Sequence, residues 1–272
     1  MKNLLSKACL LSAAWLTTLG AEAPQLIKPK PSVTPVESTP ESDLTELRIA
    51  YPKNQVIDLE NPVNVQMRLE LYPLGFDSDF ARAKEIRNSS EGQAIRVIID
   101  DQPYLLVNQA IDDIMGSEEI NLDQILMVKI PETLSSGEHI IRAYPVRSFG
   151  ESLKNREAFA TSTFYTGEKI VNASLDLMSP FLTYNEPQGH FDPRQPILLD
   201  FLVSNATLSS DGYKVRLTID GSNERILTEW TPYYLYGLGS GSHTIKLELL
   251  DFENTVISPL FNDLEHTITI GL

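Results

Sequence analysis

Residues Glu91–Asp101 read EGQAIRVIIDD, and residues Asp211–Gly221 read DGYKVRLTIDG. Each stretch opens on an acidic residue and a glycine, continues with apolar side chains at alternate positions, and ends on an acidic turn. Alternation with a period of two places one face of a strand on a core and the other face in water. Because the pattern is written twice, it predicts two equivalent strands in a duplicated β domain.

A second pair of matching segments follows these stretches. Leu134–Ala143 reads LSSGEHIIRA and Leu238–Leu247 reads LGSGSHTIKL, so both contain Leu-x-x-Gly-x-His before an alternating strand. More residues separate Glu91–Asp101 from Leu134–Ala143 than separate Asp211–Gly221 from Leu238–Leu247. This difference places an insertion between Asp101 and Leu134.

Strand patterns recur from Leu47 to the C-terminus, as in Val63–Leu71 and Ile197–Val203. About seven short strands per hundred residues, with turn signals between them, are typical of a β-sandwich. We therefore predict an all-β fold of two tandem antiparallel β-sandwiches, at residues 47–167 and 173–272. A helical pattern over Asp79–Arg87 predicts a short helix in a loop.

The Leu-x-x-Gly-x-His motif supports a named resemblance. Its conserved types in the two copies are Leu134, Gly137 and His139, and Leu238, Gly241 and His243. Both copies resemble the corner before strand F in bacterial immunoglobulin-like and fibronectin type III-like modules, where a Tyr or His hydrogen-bonds back to the backbone. The resemblance implies immunoglobulin-like sandwiches and a structural corner at each histidine. The chain departs from the antibody pattern, because it has no inter-sheet cysteine pair and Trp230 lies outside the expected core position.

Side-chain parity favours the same role for the two histidines. His139 and His243 each share a strand face with an isoleucine two positions later, so a ring N–H can donate to a turn carbonyl and contribute about 1 kcal/mol net. The alternative is a metal site. We expect His266 to begin the antiparallel neighbour of the strand that starts at His243, which separates them by roughly 20 Å. Zinc needs ligands at about 2 Å. We therefore predict no metal site and no cofactor.

The N-terminus predicts export. Lys2 and Lys7 precede an apolar run from Ala8 to Leu19, and Ala21-Glu-Ala23 provides an Ala-x-Ala end. A bilayer span needs about 20 apolar residues, and this run is shorter. We therefore predict a signal peptide at residues 1–23 and a periplasmic, cell-surface or secreted location.

Residues 24–46 are rich in Pro, Ser, Thr and Glu. Such a composition is typical of a disordered tether, which is our prediction for this segment. The single cysteine, Cys9, lies in the predicted signal peptide, so we expect no disulfide in the exported protein.

The negative net charge and the lack of catalytic motifs argue against several classes of function. The chain has 22 Lys and Arg against 37 Asp and Glu, a formal net charge of -15. It has no basic run of useful length after the N-terminal segment, so we predict no nucleic-acid partner. The sequence contains no nucleophile elbow, phosphate loop or HExxH run. We predict no catalytic residues, and an enzyme with an unrecognised site is the third choice of function.

Two segments are candidates for partner contact. The acidic insertion supplies Asp112, Asp113, Glu118 and Glu119. Their spacing does not match an EF-hand loop, so we predict a solvated or protein-contacting loop rather than a calcium site. The aromatic segment supplies Trp230, Tyr233, Tyr234 and Tyr236. These rings either stack on sugars or fill the sandwich core. The predicted function is a non-catalytic, protein-binding or scaffold role in the cell envelope, with carbohydrate binding as the alternative.

Overall fold

The computed structural model describes residues 30–58, 64–111, 122–131, 134–169, 176–257 and 261–271. In chain order the strands are β1 (Ser32–Pro35), β2 (Glu46–Tyr51), β3 (Val56–Ile57), β4 (Asn64–Glu70), β5 (Ala94–Ile99), β6 (Leu105–Val107), β7 (Asp123–Lys129), β8 (Gly137–Val146), β9 (Ala160–Thr166), β10 (Phe181–Glu186), β11 (Gly189–Phe191), β12 (Ile197–Ser204), β13 (Lys214–Ile219), β14 (Asn223–Leu227), β15 (Tyr233–Tyr236), β16 (Gly241–Leu250) and β17 (Asp263–Ile270). A short helix α1 (Arg82–Glu85) confirms the helix predicted in this loop. Within these ranges, no helix combines the length and apolar character that crossing a membrane requires.

The strands form four sheets with the same plan in each half of the chain. The first half has sheets of order β2-β4-β7 and β3-β9-β8-β5-β6, and the second has β10-β12-β15 and β11-β17-β16-β13-β14. Pairing is antiparallel except at β3–β9 and β11–β17. This is the ABE and GFC arrangement of immunoglobulin-like domains, with β8 and β16 at the position of strand F. The predicted all-β fold of two tandem immunoglobulin-like sandwiches is confirmed.

Each sandwich encloses its own apolar core. Alternation in β4 buries Val65, Met67 and Leu69, which pack against residues of β5 and β8 from the facing sheet. In the second sandwich, β12 and β13 contribute Leu199 and Leu217 to a separate core. The predicted insertion lies between β6 and β7, a connection that runs from Asn108 to Leu122, whereas β14 and β15 are joined through Thr228–Pro232.

The two sandwiches pack face to face. Strands β5, β10 and β12 are buried on both faces, because one face lies on the core of its own sandwich and the other meets the neighbouring sandwich. Apolar contacts at this junction include Ile98 and Tyr144 against Leu202, and Phe149 against Leu198. We call this junction the seam. It joins the outer face of β3-β9-β8-β5-β6 to the outer face of the sheet that contains β10 and β12.

The prediction of a disordered tether at residues 24–46 is wrong for residues 30–46, the part that the structure describes. Strand β1 pairs antiparallel with β15 of the second sandwich, from Ser32↔Tyr236 to Pro35↔Tyr233. It takes the place beside strand E that strand D occupies in an ABED sheet. We call residues 30–45 the N-terminal strap, since they run from the second sandwich to the start of β2 in the first.

The strap is held by polar contacts as well as by strand pairing. The backbone N–H and the hydroxyl of Thr39 donate to the Glu151 carboxylate at 2.8 and 2.6 Å. Glu151 also pairs with Arg82, whose side chain is mostly buried. Composition indicated that the strap cannot build a core of its own. The free edge of β15 pairs with the backbone of the strap, and the buried Glu151 carboxylate accepts its hydrogen bonds, so the strap is ordered by partners outside its own sequence.

Candidate functional site

The first corner places His139 at the start of β8, where it is 3% exposed. Its Nδ1 lies 2.6 Å from Asp100 Oδ2, and its Nε2 lies 2.9 Å from the Ser135 carbonyl oxygen. Asp100 Oδ1 accepts a hydrogen bond from the Ile140 N–H at 2.9 Å. The histidine therefore ties three segments together: the end of β5, the turn before β8, and β8 itself.

The second corner repeats this geometry. His243 Nδ1 lies 2.8 Å from Asp220 Oδ2, and Nε2 lies 2.8 Å from the Gly239 carbonyl oxygen. Asp220 Oδ1 accepts from the Thr244 N–H at 3.0 Å. This histidine is more accessible than His139, with 14% of its side chain exposed.

These contacts leave neither histidine a free ring nitrogen for a metal or a substrate. A carbonyl oxygen and a carboxylate both accept hydrogen bonds, so the imidazolium form of His139 satisfies both contacts. Burial lowers the pKa of His139, but hydrogen bonds to Asp100 and Ser135 outweigh burial and hold the pKa above its usual value. The fastening role of the two corners remains a prediction.

The aspartates of the corners were missed as partners of the histidines. Asp100 and Asp220 stand at matching positions of the two repeats, and both have a positive φ, of 54° and 51°. We interpreted them as turn residues. Each Leu-x-x-Gly-x-His copy follows a strand that ends in Ile-Asp. Because both the Asp and the His occur twice, the repeat itself could have predicted that they pair.

One geometric argument from the sequence is wrong. His266 is not at the far end from His243, because β17 begins at Asp263 and its register places His266 opposite Ile245. The His266 ring stacks on Tyr184 at 4.2 Å between centroids, and burial lowers its pKa. In the described ranges, no three or more His, Cys, Asp or Glu side chains are grouped to hold a metal ion.

The acidic residues Asp112, Asp113, Glu118 and Glu119 lie outside the described residues. Their predicted contact with a partner stays a prediction.

The seam contains ionised side chains that the sequence analysis did not single out. Arg96 of β5 is 6% exposed and reaches across to Glu186 of the second sandwich at 2.5 Å. It also donates to the backbone carbonyl of Asn185 at 2.9 Å. Burial lowers the pKa of Arg96, but Glu186, Tyr144 and Tyr104 together outweigh burial and raise it.

A second buried pair lies nearby in the seam. Asp200 of β12 is fully buried and accepts hydrogen bonds from Lys154 Nζ at 2.7 Å and from the Ser152 hydroxyl at 2.5 Å. The Asn185 amide donates to the same carboxylate at 2.6 Å. The sequence did contain an indication of both pairs. Arg96 and Asp200 are charged residues within the apolar strands IRVII and ILLDFLV, and a charge buried in such a strand needs a partner.

The aromatic segment is not the exposed platform that sugar stacking requires. Tyr233 and Tyr234 are 5% and 6% exposed, and β1 covers the edge of their strand. The Tyr234 hydroxyl donates to Glu85 at 3.0 Å, and burial raises its pKa to about 12. Tyr236 is exposed. Trp230 is half-buried, with its indole N–H donating to the Phe201 carbonyl at 2.9 Å.

Trp230 lines a cleft of about 1070 Å³ at one end of the seam. We call this cavity the seam cleft. Its aromatic walls come from both sandwiches: Phe159 of the first, and Phe181, Tyr213 and Trp230 of the second. Sites for ligands occur preferentially at domain interfaces and have mostly apolar walls with a few polar groups. The seam cleft, rather than the exposed part of β15, is therefore the candidate binding site.

No family model and no curated protein matches this chain. Among solved structures, the fibronectin(III)-like modules of Clostridium thermocellum CbhA are 12% identical, with 83% of this chain and 94% of that chain covered and a TM-score of 0.27. Sidekick-1 immunoglobulin domains 1–4 are 8% identical, with 86% and 51% covered and a TM-score of 0.22.

A third similar structure is SGBP-B of the Bacteroides ovatus mixed-linkage glucan utilization locus, in complex with a mixed-linkage heptasaccharide. It is 12% identical, with 89% of this chain and 60% of that chain covered and a TM-score of 0.22. Likeness at this level carries no argument about function. The immunoglobulin-like classification rests on the strand order described above.

Proposed function

We propose that this chain is an exported, non-catalytic binding protein in which two fused sandwiches present the seam cleft to a partner protein. The observation that carries the proposal is the cleft itself, a cavity with aromatic and polar walls that both sandwiches build. Export rests on the predicted signal peptide at residues 1–23.

The rim of the cleft has the composition of a contact surface. Met178 is 76% exposed and lines the cleft together with Leu177 and Trp230. Large apolar side chains of this kind are enriched at protein interfaces and are costly to leave in water. Burying them under a partner would recover part of that cost.

The charge of the lining favours one kind of partner segment. The charged residues that line the seam cleft are Lys154 and Arg156, and no Asp or Glu lines it in the part of the chain that the structure describes. Lys154 is paired with Asp200 inside the seam, whereas Arg156 is exposed. We therefore propose an apolar partner segment that carries an acidic residue, placed to meet Arg156.

A rim variant with a matched control tests this proposal. The chain is used to recover partners from envelope extract, and the affinity of each recovered and purified partner is then measured. Met178→Asp should weaken binding about tenfold or more, because it places a charge where an exposed apolar side chain would be buried under the partner. Met127→Asp changes an exposed methionine on β7, outside the cleft, and should leave the affinity unchanged. Equal affinities for wild type and Met178→Asp would contradict a docking role for the cleft.

Carbohydrate binding in the same cleft is the second candidate, and Trp230 is the observation that favours it. Aromatic rings offer apolar faces to sugars. The chain has two tryptophans, and Trp15 lies in the predicted signal peptide, so indole fluorescence of the exported protein reports on Trp230 alone. Saturable changes with neutral cell-wall oligosaccharides support this candidate. A flat response across them removes it.

A further inference from the structure

A second cavity of about 690 Å³ lies elsewhere along the seam and shares no lining residue with the seam cleft. We call it the arginine pocket. Arg87, Arg96 and Arg147 line it, with Glu186 as the sole carboxylate among the described lining residues. The chain as a whole carries a net charge of -15. The Arg147 guanidinium donates to the Pro40 carbonyl of the strap, outside the pocket lining. Arg87 and Arg96 still outnumber the one glutamate, so the cavity departs locally from the overall charge.

The internal charge pairs leave part of this excess uncompensated. Glu186 lies 2.5 Å from Arg96 but 3.4 Å from Arg87. Its close partner is thus Arg96, and its second contact is weak. The Nε of Arg96 has no hydrogen-bond partner within the described residues, although the side chain is almost completely buried. The guanidinium of Arg96 also lies over the Tyr104 ring, at 4.2 Å from its centroid.

Arg87 is the accessible cation of the pocket, since 42% of its side chain is exposed. Its Nη1 donates to the backbone carbonyls of Gln188 and His190, each at 3.0 Å, and its guanidinium lies 4.3 Å from the centroid of Phe191. These contacts orient the planar guanidinium but do not neutralise it. An oriented guanidinium at the mouth of a cavity matches the two oxygens of a carboxylate.

The rest of the lining is suited to a small organic anion. Ser89 and Ser90 are exposed and present hydroxyl groups. Tyr104, Leu106 and Phe149 provide apolar walls. Hydroxyls bind polar groups of an organic acid or an acidic sugar, and apolar walls favour a carbon skeleton over an inorganic ion.

We propose that the arginine pocket binds a small carboxylate-bearing ligand, such as an acidic sugar, with Arg87 as the residue that receives the carboxylate. Both sandwiches contribute to the pocket, because Arg87 and Arg96 belong to the first and Glu186 to the second. The site therefore exists only while the seam is closed. This inference is independent of the proposed protein partner of the seam cleft.

The test is calorimetric titration of the full chain with glucuronate, with neutral glucose, inorganic sulfate and chloride at matched ionic strength as comparisons. Glucuronate should bind saturably, glucose and chloride should not, and sulfate should bind more weakly. Saturable binding of sulfate equal to that of glucuronate would overturn the assignment to a carboxylate. The same result with chloride would show a nonspecific salt effect and overturn the site.

Two variants locate the binding. Arg87→Gln should weaken glucuronate binding about tenfold, as expected for loss of a charge-assisted hydrogen bond. Arg48→Gln removes an exposed arginine of the first sandwich that pairs with Glu46, outside the pocket, and should have no effect. Ser90→Glu adds a carboxylate at the pocket wall without removing a cation, and should also weaken binding. If Arg87→Gln and Ser90→Glu, both folded by circular dichroism, bind as wild type does, the proposal is wrong.

Discussion

Arg96 and Arg216 stand at equivalent positions of the two repeats, in β5 and β13, and both pair with a glutamate. Arg96 is 6% exposed and pairs at 2.5 Å with Glu186 of the other sandwich. Arg216 is 28% exposed and pairs at 2.7 Å with Glu248 on the neighbouring strand of its own sheet. Arginine at this position thus pairs between the two sandwiches in the first repeat and within one sheet in the second.

The neighbouring positions differ in the same way. Tyr144 of β8 is fully buried in the seam, and its counterpart in β16 is Glu248. Ile98 of β5 packs in the seam, and its counterpart in β13 is Thr218. A sheet that is covered on both faces needs apolar or fully paired side chains on both, whereas a sheet with one face in water accepts charges there. The two copies therefore differ in the residues on the outer face of this sheet, which meets the other sandwich in the first copy and does not in the second.

The largest expected effect separates the two arginines. Arg96→Ala should lower the free energy of unfolding by about 3–5 kcal/mol, because Glu186 is left buried without its close partner. Arg216→Ala should cost about 0–1 kcal/mol, because Glu248 is buried but keeps its ion pair with Lys246 at 3.0 Å. Urea denaturation followed by circular dichroism measures both. Similar losses in the two variants would mean that the seam does not distinguish these positions.

The two corners should show a smaller difference. His139→Phe keeps a buried ring but removes its hydrogen bonds to Asp100 and to the Ser135 carbonyl, with an expected cost of about 1–3 kcal/mol. His243→Phe removes the same contacts at a more exposed corner, with an expected cost of about 1 kcal/mol. Melting temperatures and urea midpoints are the measurements. An unchanged stability in both variants, together with lost ligand binding, would reverse the structural interpretation of the corners.

The smallest expected effect is a pH dependence at the buried corner. The pKa of His139 is raised above 6.5 in the folded state, so its stabilising contribution is fully present below pH 6.5 and is lost as the pH rises through the raised value. The difference in unfolding free energy between wild type and His139→Phe should therefore shrink as the pH increases. His266, with a lowered pKa, contributes equally to both chains and cancels. A difference that is constant from pH 5 to pH 9 would contradict a charged His139 in the corner.

Much of the fold was predictable because its signals are local. Alternation over β4 requires only that every second side chain be apolar, and the structure buries those side chains. The repeated Leu-x-x-Gly-x-His segments place His139 and His243 at equivalent strand starts. The candidate binding site was less predictable. Trp230 was singled out, but the sequence left open whether Tyr233 and Tyr234 contact sugars or fill the core, because the strand that covers them comes from the other end of the chain.

Local patterns in the amino-acid sequence were enough to predict the main strands of the two sandwiches, the duplication and the immunoglobulin-like class, but not strand β1. Each of the predicted features depends on side chains a few residues apart or on a repeated pattern. Tertiary structure decided which sheet faces are covered, where the N-terminal strap pairs, and how Arg96 and Glu186 come together. These outcomes join residues far apart in the chain. Their energies depend on desolvation and on partners that no local pattern contains, so they arise only when one sandwich packs on the other.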